Sequence, residues 1–210
     1  MIRLVKFQYS MDNLNIGHPF RKAFFLILLS GVSYIFLDQK IVPLIEKTNL
    51  PLLKAFSFLI SPPLHLLVWG GVFIRARFKR SHWTLPFFEI AVSQCLCVAF
   101  ARIFKILFGR ARPDIFLKKG IYGFHGFEWN HHYHSFPSGH TLTAFTLATS
   151  LSFIFPRFRV IFYFLATLFS LSRALLLDHY FSDVIATAAI GMIIASFVHI
   201  VTRRIHYETA

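Results

Sequence analysis

The chain has 210 residues, of which 56% are hydrophobic and only 15% charged, with 27 phenylalanines. A soluble domain carries roughly 25% charged residues, so an ordinary water-soluble globule is excluded. The formal charge of +13 does not point to nucleic acid, because the basic residues gather beside apolar segments, as cytoplasmic loops of membrane proteins require.

The length predicts one membrane-embedded domain over 1–210, and several apolar stretches approach the ~20 residues that span a bilayer. The expected fold is all-α. It is a polytopic membrane protein with six transmembrane helices and one long external loop between helices 3 and 4. Residues 1–21 are polar and basic, with Arg3, Lys6 and Arg21, and carry no signal-peptide cleavage pattern. Span 1 is expected over 23–45, with Asp38, Gln39 and Lys40 near its outer interface. Span 2 is expected over 55–74, where Pro62 and Pro63 predict a kink or break. The basic run Arg75, Arg77, Lys79 and Arg80 follows. Span 3 covers 85–107. Its Glu89 sits near the cytoplasmic end, where a carboxylate reaches water or the basic loop. Cys95 and Cys97 in the same span read as small core or lipid-facing residues, with no disulfide and no zinc.

Residues 108–137 form the one long connection, and a 30-residue connection in a small domain is usually functional. Span 4 is expected over 138–155, span 5 over 160–176 and span 6 over 182–201. Six spans place both termini on one side. That side holds 12 of the 22 Lys and Arg: Arg3, Lys6, Arg21, Lys22, Arg75, Arg77, Lys79, Arg80, Arg157, Arg159, Arg203 and Arg204. The other side holds six of the nine acids. The bias predicts cytoplasmic termini and an external face for the ends of spans 3 and 5 and the starts of spans 4 and 6.

Three polar clusters lie at those ends. Lys105 and Arg112 close span 3, and Arg173 closes span 5. Each alone reads as a snorkelling interfacial cation. Together they suit phosphate, because guanidinium binds its oxygens bidentately and lysine supplies a mobile charge. Ser138, Gly139 and His140 open span 4. The serine suits a helix N-cap, and the free N–H groups of a helix start favour an anion. His179 and Asp183 are four apart and share a face if the helix has begun. Asp183 then accepts a hydrogen bond from one ring nitrogen and leaves the other as nucleophile or base. Two histidines and three cations predict phosphoryl transfer: one histidine attacks phosphorus and the other protonates the leaving oxygen.

These residues resemble the phosphatidic acid phosphatase type 2 superfamily, whose signature is K-x6-R-P, P-S-G-H and S-R-x5-H-x3-D. The chain matches with Lys105 and Arg112-Pro113, then Pro137-Ser138-Gly139-His140, then Ser172-Arg173, His179 and Asp183. The resemblance implies that His179 forms a phosphohistidine, oriented by Asp183, and that His140 is the general acid. It implies that Lys105, Arg112, Arg173, Ser138 and Gly139 bind the phosphate, with no metal and no cofactor. His125, His131, His132 and His134 have no assigned role in that family, and with the loop aromatics they are expected to meet the surface or a headgroup. The implied activity is hydrolysis of a lipid phosphate or diphosphate. Lipid A, undecaprenyl diphosphate, phosphatidylglycerophosphate and phosphatidic acid all fit, and transfer to another acceptor is the alternative. The expected location is a bacterial inner membrane, with the site on the periplasmic face and no obligate protein partner.

Overall fold

The structure is a computed structural model that describes residues 17–45 and 61–209. Among the described residues it holds eight α-helices and no strand. They are α1 (Gly17–Phe36), α2 (Asp38–Ile45), α3 (Pro62–Phe78), α4 (Thr84–Phe108), α5 (Pro113–Lys119), α6 (Gly139–Ile154), α7 (Arg159–Leu175) and α8 (Phe181–Thr209). Helices α1, α4 and α8, and α7 together with the 3-10 turn Pro156–Phe158 that leads into it, each supply a stretch long and apolar enough to cross a membrane. α3 and α6, with 17 and 16 residues, do not. Leucines, isoleucines and phenylalanines stand exposed along α1 and α7, as in Phe25, Ile35 and Val160. In water such an apolar belt would be costly, whereas against lipid tails it needs no cover.

Local chemistry sets the boundaries. Pro62 and Pro63 occupy the first turn of α3 behind the extended Ser61, where a missing N–H costs nothing. They open a helix rather than kinking one that runs through them. The rest of the expected span 2, and residues 46–60 generally, lie outside the described residues, as does 1–16. The expected span 1 is divided at Leu37, so that Asp38 becomes the first residue of α2. α4 stops at Gly109, whose φ of +49° is left-handed. A Cβ there would come within 2.1 Å of the Gly126 carbonyl oxygen, so this position requires glycine.

α8 is the central helix. More than half of its apolar stretch is buried, 56% against 22% for α1. It packs on α1, α4, α6 and α7. Small residues let the backbones approach. Ala144, Ala148, Ala166 and Ala188 pack around Phe145 and Met192. At Gly191 an added Cβ would lie 3.1 Å from the Leu142 carbonyl oxygen.

Helix packing also revises the reading of Glu89. It is buried, its Oε2 lies 2.8 Å from His199 Nδ1, and its Oε1 lies 2.8 Å from Arg203 Nε. This ion pair joins α4 to α8. Residues 89 and 105 share α4, so at 1.5 Å per residue the pair sits about 24 Å from Lys105.

Candidate active site

The candidate site is built where α4, α6, α7 and α8 begin or stop. Lys105 lies in the last turn of α4 and Arg173 in the last turn of α7. Arg112 is the extended N-cap residue of α5, ahead of Pro113. Between Lys105 and Arg112 the chain is stitched to the long loop on both sides. His125 donates its N–H to the Gly109 carbonyl at 3.1 Å, and Ala111 to Gly123 at 3.1 Å. Ser135 donates to the Arg110 carbonyl at 3.0 Å, and Arg112 to His132 at 2.9 Å. These bonds fix the direction of Arg112 relative to the Pro137–His140 segment.

Ser138 is the N-cap of α6. Its buried Oγ accepts from the Thr141 N–H, and its own N–H donates to Thr187 Oγ1 at 3.1 Å. The hydroxyl is therefore engaged in the cap, while Gly139 and His140 are the half-buried residues of that first turn. His140 lies within electrostatic reach of Arg173, Lys105 and His65.

The turn after α7 folds back on itself. The N–H groups of Asp178 and His179 both point to the Arg173 carbonyl, at 3.2 and 3.3 Å, and Leu177 takes a left-handed φ of +57°. Asp178 thereby reaches two motif cations, with Oδ2 at 2.7 Å from Arg173 Nη2 and Oδ1 at 3.8 Å from Arg112 Nη1. The two guanidinium groups converge on one oxyanion.

His179 is buried, and its Nδ1 meets the backbone carbonyl of Ser135. A carbonyl only accepts, so Nδ1 carries the hydrogen. Burial, then the charges of Lys105, Arg112 and Arg173, hold the ring's pKa well below its ordinary 6.5, against the opposing effect of the Ser135 carbonyl. A neutral ring protonated on Nδ1 keeps its lone pair on Nε2, which is the state a nucleophile needs.

Asp183 does not orient His179 by direct contact. Its carboxylate meets Arg110 Nη1, accepts from Ser135 Oγ at 2.6 Å and accepts from the Tyr180 N–H at 3.0 Å. The link to His179 runs through Ser135, whose hydroxyl holds Asp183 while its carbonyl holds the ring.

Sequence reasoning missed the centre of this arrangement. Arg110, only 2% exposed, pairs with Asp183 on one side and with Asp38 at 2.7 Å on the other. Four aromatic rings surround its guanidinium: Tyr34, Tyr122, Phe124 and Tyr180, with centroids 4.7 to 5.7 Å away. Asp38 is buried rather than interfacial, and it also binds the Ser182 N–H at 3.1 Å and the Tyr122 hydroxyl at 3.1 Å. Tyr122 thus belongs to this network rather than to a membrane-surface aromatic set. Burial raises its pKa first, and the Asp38 charge raises it further. The available signal was an acid at the end of a greasy helix.

Of the loop histidines, only His131 and His132 bring their rings together, with centroids 4.0 Å apart. His132 Nδ1 lies 3.2 Å from Asp114, His134 Nε2 lies 3.0 Å from the Glu128 carbonyl, and the His125 ring meets Tyr133 edge-on. Phe127 and Trp129 stand exposed at 63% and 71%.

A family model described as the PAP2 superfamily matches residues 86–207. Two curated relatives are named lipid A 1-phosphatase. One, from Rhizobium johnstonii, is 38% identical over 105 residues, covering 50% of this chain and 41% of its own length. The other, from Rhizobium etli, is 40% identical over 91 residues, covering 43% of this chain and 39% of its own. The chain thus matches about two fifths of the length of these relatives.

Proposed function

The chain belongs to the PAP2 superfamily, and from that premise we propose that it is an integral-membrane lipid phosphatase acting through a phosphohistidine on His179. One observation carries this reading. Lys105, Arg112 and Arg173, from three helix ends, lie within electrostatic reach of a buried histidine whose free nitrogen is Nε2. In the proposed reaction Nε2 attacks phosphorus and the bond from phosphorus to the lipid oxygen breaks. That oxygen takes a proton from His140. Water then attacks the phosphohistidine, gives its proton back to His140 and releases inorganic phosphate. The three cations offset charge on the phosphoryl oxygens, the usual largest contribution to such catalysis. Ser138 and Gly139 hold the helix start that faces the anion.

The substrate class follows from the setting. The site lies at the ends of apolar helices, so the reacting phosphate sits at membrane-surface depth. A lipid A 1-phosphate is the first candidate, because the curated relatives carry that name. The proposed topology has six spans, cytoplasmic termini and an outward-facing site in a bacterial inner membrane. The exposed Phe127 and Trp129 support a loop that rests on the bilayer and shapes access for the headgroup.

The test is phosphate release by detergent-purified protein, in EDTA, from lipid A, undecaprenyl diphosphate, phosphatidylglycerophosphate and phosphatidic acid. The wild-type chain is expected to release phosphate and His179→Ala to release none. Activity in that variant would sink the mechanism, and loss of wild-type activity in EDTA would point to a metal. Replacing residues 121–134 with a Gly/Ser linker removes contacts of Arg110 and Arg112, so the narrower change of Phe127 and Trp129 to Ser is the cleaner loop test. It should lower activity on the long-chain lipid more than on a soluble phosphate ester, and equal losses would refute the loop's role.

A further inference from the structure

Far from the catalytic end, α1 and α7 leave a groove of about 470 Å³ between them. That volume lies within the range of ligand pockets, roughly 300–1,000 Å³. Phe145 of α6 and Met192 of α8 form its floor, and Leu29 and Val160 stand on opposite walls. All four are apolar. Two cations head the groove, Lys22 in the first part of α1 and Arg159 at the start of α7. Lys22 Nζ lies over the Tyr163 ring at 5.2 Å. Among the described residues no carboxylate pairs with Lys22 or Arg159.

The groove belongs to the membrane leaflet opposite the reaction. Arg159 and Arg173 lie on the same helix, about 21 Å apart at 1.5 Å per residue. From Lys22 to Leu29 the groove runs about 10 Å along α1, a third of the ~30 Å hydrocarbon core. An apolar channel of that depth, open to lipid and capped by two positive charges that no carboxylate among the described residues pairs, has the chemistry of one kind of ligand. We propose that it is a binding site for an anionic phospholipid of that leaflet, with an acyl chain in the groove and the phosphate between Lys22 and Arg159. Two cations near a membrane surface favour an anionic over a zwitterionic headgroup by on the order of tenfold.

The experiment uses the whole chain in mixed micelles of dioleoyl phosphatidylglycerol and dioleoyl phosphatidylcholine at equal amounts, read by native mass spectrometry. The wild-type chain should keep one phosphatidylglycerol, about tenfold over phosphatidylcholine. Lys22→Gln with Arg159→Gln should bring that preference close to one. Leu29→Trp, which fills the groove, should remove the retained lipid of either kind. Phosphate release from a soluble ester should stay unchanged in all variants, because none of these residues touches the catalytic cluster. Undiminished phosphatidylglycerol preference in the double glutamine variant would overturn the proposal. So would detergent alone in the groove, or a dimer that Leu29→Trp dissociates, since the occupant would then be a second copy. None of these readings depends on hydrolysis, so the site stands or falls separately from the phosphatase assignment.

Discussion

Arg110 and Arg112 stand two residues apart and have opposite surroundings. Arg110 is 2% exposed, with a carboxylate at each end and aromatic rings around it. Arg112 is 24% exposed, and the carboxylate facing it is 3.8 Å away. One cation has its charge compensated by the fold. The other shares the carboxylate of Asp178 with Arg173. The contrast separates a cation enclosed by the fold from one left partly open, which sequence spacing alone does not do. A buried pair broken on one side leaves an uncompensated charge, whereas a half-open cation can be removed with little damage to the fold.

The largest consequence concerns Arg110. Arg110→Met strands Asp38 and Asp183 in the interior, and the expected loss of stability is about 3–5 kcal/mol, measured by thermal unfolding in detergent. A loss below about 1 kcal/mol would remove the distinction between the two arginines. Arg112→Met should show the converse. Its unfolding should stay close to wild type while kcat/KM falls by about 10²–10³-fold, the scale of one lost charge-stabilising donor. Equal effects on stability from both substitutions would break the comparison.

A smaller effect follows from the depressed pKa of His179. Below the unfolded pKa of ~6.5 the unfolded chain binds a proton there that the folded chain does not. Wild-type stability should therefore be level in this respect above pH 6.5 and fall as pH drops below it. His179→Gln should flatten that fall, and identical slopes from pH 6.5 to 5 would contradict a buried neutral ring. The smallest effect concerns Asp178, whose carboxylate occupies the space between Arg112 and Arg173. The groups are partly exposed, so Asp178→Asn should tighten inhibition by inorganic phosphate by only about two- to fivefold. Weaker inhibition would show that Asp178 holds the arginines in place for phosphate.

Much of the candidate site was legible because polar residues at the ends of apolar helices stand out from their surroundings. Lys105, Arg112, His140, Arg173 and His179 announced themselves as polar groups interrupting apolar sequence. The all-helical character and four of the spans followed from the same contrast. Their supports were not legible, because the pairings are long-range. Arg110 and Asp38 are 72 positions apart, and Glu89 and His199 are 110 apart. Neither periodicity nor spacing carries that information. The expected contact from Asp183 to His179 failed for a related reason. A four-residue spacing puts two groups on one helix face, but α8 begins only at Phe181, so His179 lies in the turn before it and reaches Ser135 instead.

The central claim is a covalent phosphate on His179, and it is tested most directly by trapping the labelled protein under alkaline quench. The purified chain is mixed with ³²P-labelled lipid A 1-phosphate and quenched within a turnover, and the labelled peptide is sequenced. The account requires base-stable, acid-labile label on the peptide carrying His179. It requires none in His179→Ala and a longer-lived label when His140 is replaced by Ala. Phosphate release at the wild-type rate with no labelled histidine, or label on a different residue, would contradict it.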